Sequence, residues 1–597
     1  MTYADTPLPE FLQKIVTGFV GRGREADVTA RLRSPDDCMT PKALSAYKSS
    51  RTSFARILAR RMIDERWRIE RKFFNCDAEG LGLGRYEITA GQHRFIYASR
   101  PYRWDGIEKV GRRSEGAKRD MTGAMFIGMP DEERIAEEIR TFDYRDWDLM
   151  RTDSTVAGWT PGSRSARFFD LVVDTLADGR QPDPAVIGQA SGYLVRNGGY
   201  LACGRFGTLA YEGYPASHPL RHPYFPDLFG LFMVRQVSIE LVNGIAAARS
   251  AKAVSLAPEM ARYLGVGNSS GQGMCVALQR WPHWVSTWIV VRELSIAYAK
   301  SMPVGAEKAR WERMAMWLRR CAAYYRNTIP TTAEFIVPHP QVAANLELMR
   351  NWTIEAARNA PTMRWGDLMA RAARSFDRES LEQIHSLLIE TYGEFADAAA
   401  DYLPIGSERE RDVVPEMRVG ALRDLLRQNY AWALRHDLSL SRARQHFWYH
   451  SVDSGEQRRG ERVIDPHEEF ESFIDHIGLI QRLSSVLDSY DDDATVAEPI
   501  TDAPELGFAV SRVQYLAGLP FTEIRGNLVD KDFLPSDLIR FMLAVFGMEC
   551  TTPLSIRQVR GVFFQGMPLI DEIARGADPD WVFPEQPRLH EPELAAE

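Results

Sequence analysis

The chain has 597 residues, of which 45% are hydrophobic and 26% are charged, so it is long enough for three or four domains with sizeable cores. Its six cysteines form no CxxC pair, which argues against a zinc ribbon, an iron–sulfur site or a disulfide framework and favours a reducing compartment. The sequence does not open on a secretory signal, and its apolar runs are shorter than the roughly 18 residues that a membrane span needs. These features predict a soluble, cytoplasmic protein without a membrane segment.

The charge is unevenly distributed along the chain. Residues 1–120 contain 24 Lys/Arg and 16 Asp/Glu, whereas the whole chain has a net charge of −8. Such asymmetry is typical of proteins that bind nucleic acid, membranes or acidic partners. Because the basic residues are spread over 120 positions, we favour solvated helix faces or a pocket for a small acidic molecule.

Residues 1–150 are predicted to form a small α+β unit. Apolar residues recur at near-helical spacing after Pro41, and two stretches with strand-like composition flank the turn Gly91-Gln92. A third strand-like run is followed by a proline and acidic residues, which commonly begin a helix. The expected elements are a helix over 40–71, strands over 85–90, 93–99 and 121–129, and a helix that begins at Pro130.

Beyond residue 150 the apolar periodicity is helical nearly throughout. The expected helices cover residues 164–177, 185–196, 226–250, 274–300, 306–327, 340–358, 364–401, 415–437 and 466–488. We therefore predict a mainly α protein, with a large multi-helix body over 151–490 and a smaller N-terminal α+β unit that contains a short β-hairpin or sheet. After a linker, a mostly helical segment is expected over 505–576 and a disordered tail over 577–597.

A glycine-rich stretch, Gly265 to Met274, is the first candidate for a site. Backbone N–H groups at such a turn, ahead of a helix, suit an anion. Its polar side chains are predicted to bind substrate: Asn268, Ser269, Ser270 and Gln272. A tight helix–helix corner explains the glycines equally well. The same stretch spells the Gly-x-Ser-x-Gly of a nucleophile elbow at Ser269, but the preceding pattern reads as helical and that motif requires a strand.

A basic loop is the second candidate. Residues 100–119 hold seven basic and three acidic residues, and arginine forks suit carboxylates and phosphates. Arg103, Arg113 and Arg119 are predicted to bind an anionic substrate. Nucleic acid is disfavoured, because no RNA- or DNA-binding motif accompanies the loop and the pI is about 5.9.

A group of histidines is the third candidate. His446 and His450 lie one helical turn apart, a spacing that can chelate a metal, although such pairs also arise by chance. Glu382 and His385 have the spacing of a metal-ligand pair on a helix, but without a second such motif a di-iron site is not predicted.

Charged residues inside apolar helices are the fourth observation. Arg292 and Glu293 interrupt an apolar run, and Glu240 lies on a polar stripe of the helix expected over 226–250. Burial of Glu240 against Arg292 would be costly and typical of a site, whereas a solvent-facing stripe is the simpler interpretation.

The leading hypothesis is a cytosolic enzyme of small-molecule metabolism that acts on a carboxylate- or phosphate-bearing substrate by acid/base chemistry. His93, Lys118 and Glu240 are the proposed catalytic residues, because His, Lys and Glu are the usual groups for proton transfer. Two alternatives stay open: a metal enzyme centred on His446 and His450, and an interaction protein whose basic N-terminal part binds nucleic acid or an acidic partner. The sequence identifies no cofactor and no oligomeric state.

Overall fold

The computed structural model describes residues 10–20, 32–38, 50–101, 120–141, 156–165, 168–189, 192–197, 214–215, 217–222, 224–268, 282–327, 339–400, 413–437, 473–516, 542–550 and 561–577. The chain forms two compact units, each discontinuous in sequence, whereas the domains predicted above follow one another along the chain. The helical unit comprises Met1–Ser53, Gly271–Phe546 and Ser555–Gln558. The sheet unit comprises Phe54–Ser270, Gly547–Leu554 and Val559–Glu597.

Within the described residues, the sheet unit is built on one nine-stranded sheet with the order β1-β2-β3-β4-β5-β6-β7-β9-β8. Neighbouring strands are antiparallel, except that β6 and β7 run parallel. The strands are β1 (Arg68–Cys76), β2 (Gly82–Ala90), β3 (His93–Pro101), β4 (Met121–Phe126), β5 (Val156–Arg164), β6 (Tyr193–Asn197), β7 (Gly265–Asn268), β8 (Met548–Cys550) and β9 (Gly561–Phe563). The last two come from the C-terminal part of the chain, so the sheet is completed by segments distant in sequence.

Local sequence explains the first part of the sheet. Ala90 pairs with His93 across the two-residue turn, and Gly91 takes a φ of 57°, which glycine adopts without steric cost. The edge strand β1 has a mostly exposed run of charged residues, among them Arg71 and Lys72, and such charges discourage pairing with another sheet edge.

One long apolar helix, α7, forms the core of the sheet unit. It spans Phe225–Arg249 and most of its residues are buried. A Cβ at Gly230 would overlap Thr160 of β5, so glycine lets the helix approach the sheet closely. Within the described residues it is the one helix long and apolar enough to cross a membrane, and 83% of its most apolar window is buried, as in the core helix of a soluble protein.

The other helices of the sheet unit are shorter and surround this core. They are α3 (Phe54–Asp64), α4 (Glu132–Thr141), α5 (Phe169–Ala177), α6 (Pro184–Gln189), α8 (Pro258–Tyr263) and α20 (Ile570–Arg575).

The helical unit is arranged around α9, which packs against α12, α13 and α14. Its helices are α1 (Glu10–Val20), α2 (Pro35–Cys38), α9 (Pro282–Ser301), α10 (Lys308–Asn327), α11 (His339–Asn359), α12 (Trp365–Ala373), α13 (Arg378–Thr391), α14 (Glu394–Ala400), α15 (Val419–Asn429), α16 (Ala431–Leu434), α17 (Phe473–Leu487), α18 (Ala497–Asp502) and α19 (Gly507–Leu516). A 3₁₀ turn (Pro504–Leu506) and a π-helical turn (Met542–Phe546) complete it.

The prediction of a mainly helical protein is confirmed, as are the hairpin, the strand at 121 and the helix after Pro130. The prediction of a short hairpin or small sheet underestimates the sheet, which has nine strands. The helix expected over 40–71 is wrong at its end, because α3 stops at Asp64 and β1 begins at Arg68. The helices expected over 164–177 and 185–196 are wrong in part, because β5 ends at Arg164 and β6 occupies Tyr193–Asn197.

Candidate functional site

The structure describes three of the residues proposed from the sequence: His93, Glu240 and the backbone of Asn268. They lie on β3, α7 and β7 of the sheet unit. The other proposed residues lie outside the described part of the chain: Arg103, Arg113, Lys118, Arg119, Ser269, Ser270, Gln272, His446 and His450. The basic loop and the histidine pair therefore stay predictions.

His93 is half-buried in an aromatic cluster. Its ring centroid lies 5.0 Å from that of His218, which stacks on Tyr214 at 4.4 Å. Burial, with the proximity of His93, lowers the pKa of His218 to about 3, so this neighbour is neutral at physiological pH. The backbone N–H of Leu220 donates a 3.1 Å hydrogen bond to His218 Nδ1 and fixes the ring.

Glu240 is held in an ion pair of the sheet unit. Its carboxylate accepts hydrogen bonds from Arg71 of β1 and, at 3.1 Å, from the amide of Gln236. The side chain is only 14% exposed, so it does not face open solvent. Glu240 of α7 is therefore paired with Arg71 of β1, which differs both from burial against Arg292 and from a stripe that faces solvent.

The glycine-rich stretch begins as a strand rather than a helix end. Gly265 to Asn268 form β7, between β6 and β9, so a strand does precede Ser269. A Cβ at Gly265 would overlap the backbone of Phe563, and one at Gly267 would lie 2.7 Å from the Tyr193 ring. These two glycines are explained by close strand packing, and the helical reading of the residues before Ser269 is corrected.

A different group of charged residues is concentrated inside the helical unit. Four side chains form what we call the charge network: Arg33, Arg292, Glu293 and Glu382. The last three have side-chain exposures of 0%, 1% and 3%, and Arg33 is 16% exposed. Buried charges of this kind are costly unless each is paired and hydrogen-bonded.

The four charges of the network pair with one another, and within the described residues Arg292 Nε is left without a hydrogen-bond partner. Arg33 donates two hydrogen bonds to Glu293, from Nε at 2.8 Å and Nη2 at 2.7 Å, and its Nη1 bonds to Glu382. Arg292 bridges the same two carboxylates, at 2.9 Å to Glu293 and 2.8 Å to Glu382. Two positive and two negative groups therefore form a closed, electrically neutral set.

The pKa directions agree with this geometry. Burial alone would raise the pKa of Glu382, but the guanidinium groups of Arg33 and Arg292 outweigh it and hold the pKa well below its usual range. Burial would also raise the pKa of Glu293, but the guanidinium of Arg33 outweighs this effect and the pKa is lowered. Both carboxylates are thus ionised at neutral pH.

Local capping places the network's members. The Ser34 hydroxyl donates to Asp37 at 2.8 Å and accepts from its backbone N–H at 3.3 Å, which closes the one-turn helix α2 directly after Arg33. Asp377 caps α13 by accepting from the Ser380 N–H at 2.9 Å. In α13, Glu382 and His385 are three positions apart and therefore lie on one face of the helix.

A pocket of about 430 Å³ adjoins the network. Its polar lining includes Arg33, Lys300, Glu382 and His385, and α12 together with Leu381 of α13 supplies an apolar wall. The remaining lining residues are Asp37, Gly366, Met369, Ala370, Ala373, Arg378 and Leu381. Pockets of roughly 300–1,000 Å³ that combine an apolar wall with a few polar groups are typical of small-molecule sites.

Two basic groups in this lining lack partners. Within the described residues neither ring nitrogen of His385 has a hydrogen-bond partner, although the side chain is only 6% exposed. Its Nδ1 lies 3.6 Å from Glu382 Oε1, beyond hydrogen-bond range. The amine of Lys300 likewise has neither an ion pair nor a hydrogen bond in the part of the chain that the structure describes. A buried polar group without a partner is uncommon in folded proteins.

Their surroundings lower the pKa of both groups. Burial, together with the positive charge of Arg33, lowers the pKa of Lys300 to about 8. Burial and the charge of Lys300 lower the pKa of His385 to about 3. At neutral pH the pocket thus presents a neutral imidazole beside an amine that releases its proton readily.

The sequence contained part of this site. Glu382 and His385, and the pair Arg292-Glu293, drew attention as charged residues at informative spacings, whereas Arg33 and Lys300 were missed. No local pattern distinguishes them from the other basic residues of the chain. Among the described residues no group of three or more His, Cys, Asp or Glu side chains could hold a metal ion.

Comparison with known proteins adds no assignment. No protein-family model, curated protein or solved structure matches this chain.

Proposed function

We propose that the protein is a cytoplasmic enzyme of small-molecule metabolism that binds a carboxylate- or phosphate-bearing substrate in the pocket of the helical unit. The observation that carries this proposal is the presence of two basic groups that line the pocket without a hydrogen-bond partner among the described residues, namely the buried imidazole of His385 and the partly buried amine of Lys300. Enzyme sites commonly concentrate groups whose pKa values burial and neighbouring charges have shifted.

The balance of charge favours an anion. Arg33 and Glu382 are neutralised within the charge network. The other charged residues of the lining are Lys300, Arg378 and Asp37, which leaves one positive charge in excess when Lys300 is protonated. Arg378 and Asp37 are exposed and lie where solvent reaches the pocket. A bound carboxylate or phosphate would offset the excess charge.

Acid/base chemistry follows from the response of the two bases to that anion. A negative charge within roughly 4–6 Å stabilises the protonated form of an amine or imidazole and raises its pKa. Such an anion would raise the pKa of His385 from about 3 toward the neutral range, and it would raise the pKa of Lys300 above about 8, so that the amine stays protonated while the ligand is bound. Proton donors and acceptors work best when their pKa lies near the operating pH.

Calorimetric titration with succinate and with sulfate, between pH 6.5 and 9.5, tests this proposal, because neither probe titrates in that range. Binding that requires protonated Lys300 should weaken about tenfold between pH 7 and pH 9, since the pKa is about 8. Lys300→Gln should remove most of the affinity and its pH dependence. Lys308→Gln, at an exposed lysine (79%) of the same unit, is the matched control and should bind as the wild type does.

Two further variants separate the pocket from the basic loop. Arg103→Ala and Lys118→Ala should leave succinate affinity unchanged if the pocket of the helical unit holds the anion. Loss of binding in those variants, with normal binding by Lys300→Gln, would indicate that the basic loop binds the anion and that the pocket does not. Failure of the wild type to bind either probe at millimolar concentration would overturn the proposal.

A further inference from the structure

We propose that Lys300 forms a covalent imine with a small 2-oxo acid, its amine acting as the nucleophile and His385 transferring the proton. This inference rests on the proposed function, because it assigns a substrate class and a covalent step to the same pocket.

The geometry distinguishes Lys300 from two other lysines that the structure describes, Lys72 and Lys308. Lys72 has carboxylate oxygens at 3.0 and 3.2 Å, from Glu70 and Glu87. An exposed lysine, Lys308, pairs with its helix neighbour Glu312 at 3.7 Å. Lys300 lines a pocket instead and has no such partner in the described part of the chain.

The carboxylates nearest to Lys300 are already engaged. Glu293 and Glu382 each accept hydrogen bonds from two arginines, Arg33 and Arg292. Burial and the positive charge of Arg33 therefore outweigh these two carboxylates, which favour the protonated amine, and lower the pKa of Lys300 to about 8. A desolvated lysine near other cationic groups is the usual form of an activated amine nucleophile.

The proposed step balances as follows. The neutral amine of Lys300 attacks the carbonyl carbon of the 2-oxo acid, and the carbonyl oxygen gains a proton to give a carbinolamine. Loss of that hydroxyl as water leaves a C=N bond to the lysine nitrogen. The imidazole of His385 transfers two protons in turn: it takes one from the amine nitrogen during the attack and gives it to the carbonyl oxygen, and it then takes the second from the same nitrogen and gives it to the departing hydroxyl. Both hydrogens of the neutral amine thus leave in the water molecule, and no oxidant or reductant is needed.

A 2-oxo acid fits the remaining lining. Its carboxylate can pair with Arg378, which is exposed and has no ion pair within the described residues. Met369, Ala370 and Leu381 provide apolar contact for a short hydrocarbon chain. An aldehyde or ketone without an acidic group could not form the ion pair with Arg378.

Reductive trapping on the full-length protein tests the inference. Pyruvate and sodium cyanoborohydride at pH 8.5 should convert Lys300 to its carboxyethyl derivative at least tenfold faster than exposed Lys308, as measured by peptide mass spectrometry. Lactate, which has the carboxylate but no carbonyl, should slow the labelling of Lys300 alone. His385→Gln should slow labelling at Lys300 and leave that at Lys308 unchanged.

Labelling of Lys300 no faster than that of Lys308 would overturn the inference. The same samples are titrated with lactate and succinate, so that the two proposals fail separately. Anion binding without selective labelling contradicts the imine and leaves the anion site intact. Absence of both contradicts the proposed function itself.

Discussion

Substitution of Arg292 by Met removes one positive charge from the charge network and leaves its two carboxylates facing a single guanidinium. Arg292 is fully buried and donates hydrogen bonds of 2.9 and 2.8 Å to Glu293 and Glu382. In the variant the network carries a net charge of −1 at a site whose two carboxylates are almost completely buried. Methionine fills similar space, so the lost charge, rather than a cavity, dominates the effect.

The expected magnitude follows from the burial. Removal of one partner from a buried ion pair typically costs about 3–5 kcal/mol, because the remaining charge is neither solvated nor paired. Glu382→Gln in the same protein restores neutrality, with Arg33 facing Glu293 alone. The double variant should therefore be less destabilised than the sum of the two single variants, by about 0.5–3 kcal/mol.

Native-state hydrogen exchange, followed on peptides from α9 and α13, measures the loss of stability around the charge network. A local measurement is needed because a chain of this size is not expected to unfold in two states. A loss of about 3 kcal/mol corresponds to exchange more than about 100-fold faster. Arg313→Met, at an exposed position of α10, is the control and should change protection by less than about 0.5 kcal/mol. Equal, small effects of Arg292→Met and Arg313→Met would refute the reasoning about the network.

Two other predictions follow from single side chains. Because the folded pKa of His385 is about 3 and its unfolded pKa is about 6.5, the unfolded chain binds the extra proton between these values. Acidification from pH 6.5 to 4.5 should therefore cost the helical unit about 2 kcal/mol. Urea titrations at both pH values should show this loss in the wild type, and His385→Gln should lack it. Gly230→Ala should destabilise the sheet unit by about 1–3 kcal/mol, because the new methyl overlaps Thr160, and Thr160→Ser should partly restore the melting temperature. Gly18→Ala, where the methyl meets nothing within 4 Å, is its control and should not lower that temperature; similar losses at both glycines would contradict the packing argument.

The first part of the sheet was predictable because its signals are local. A two-residue turn at Gly91 joins strands whose partners are only a few positions apart in sequence. By contrast, β5 contains Pro161 and two glycines, which are ordinarily breakers of strands. The strands β8 and β9 have three residues each and join the sheet through partners such as β7, some 300 positions earlier. Such strands exist because of tertiary pairing, so periodicity could not reveal them.

The site shows the same division between local and distant information. The helical spacing of Glu382 and His385 is visible in the sequence, as is the interruption of an apolar run by Arg292. What these residues bind is not local: Arg33 lies 260 positions from Glu293 and 349 from Glu382. The polar stripe that carries Glu240 suggested a site by the same reasoning, yet its partner is Arg71. Charge inside an apolar helix indicates that a partner exists and does not say which one.

The contrast between the network and its neighbours is the strongest argument for function in this part of the fold. A protein that needed only stability could neutralise Lys300 with a carboxylate or replace it by an apolar residue. Instead the folded state depresses its pKa from 10.5 to about 8, which at neutral pH corresponds to a penalty of about 3 kcal/mol. The penalty is present below pH 8 and disappears as the pH rises toward the unfolded pKa. Sites that give up stability in this way are characteristic of binding and catalysis, because a ligand supplies the missing partner. The neutral network holds the surrounding helices in place, so that Lys300 and His385 stay available to that ligand.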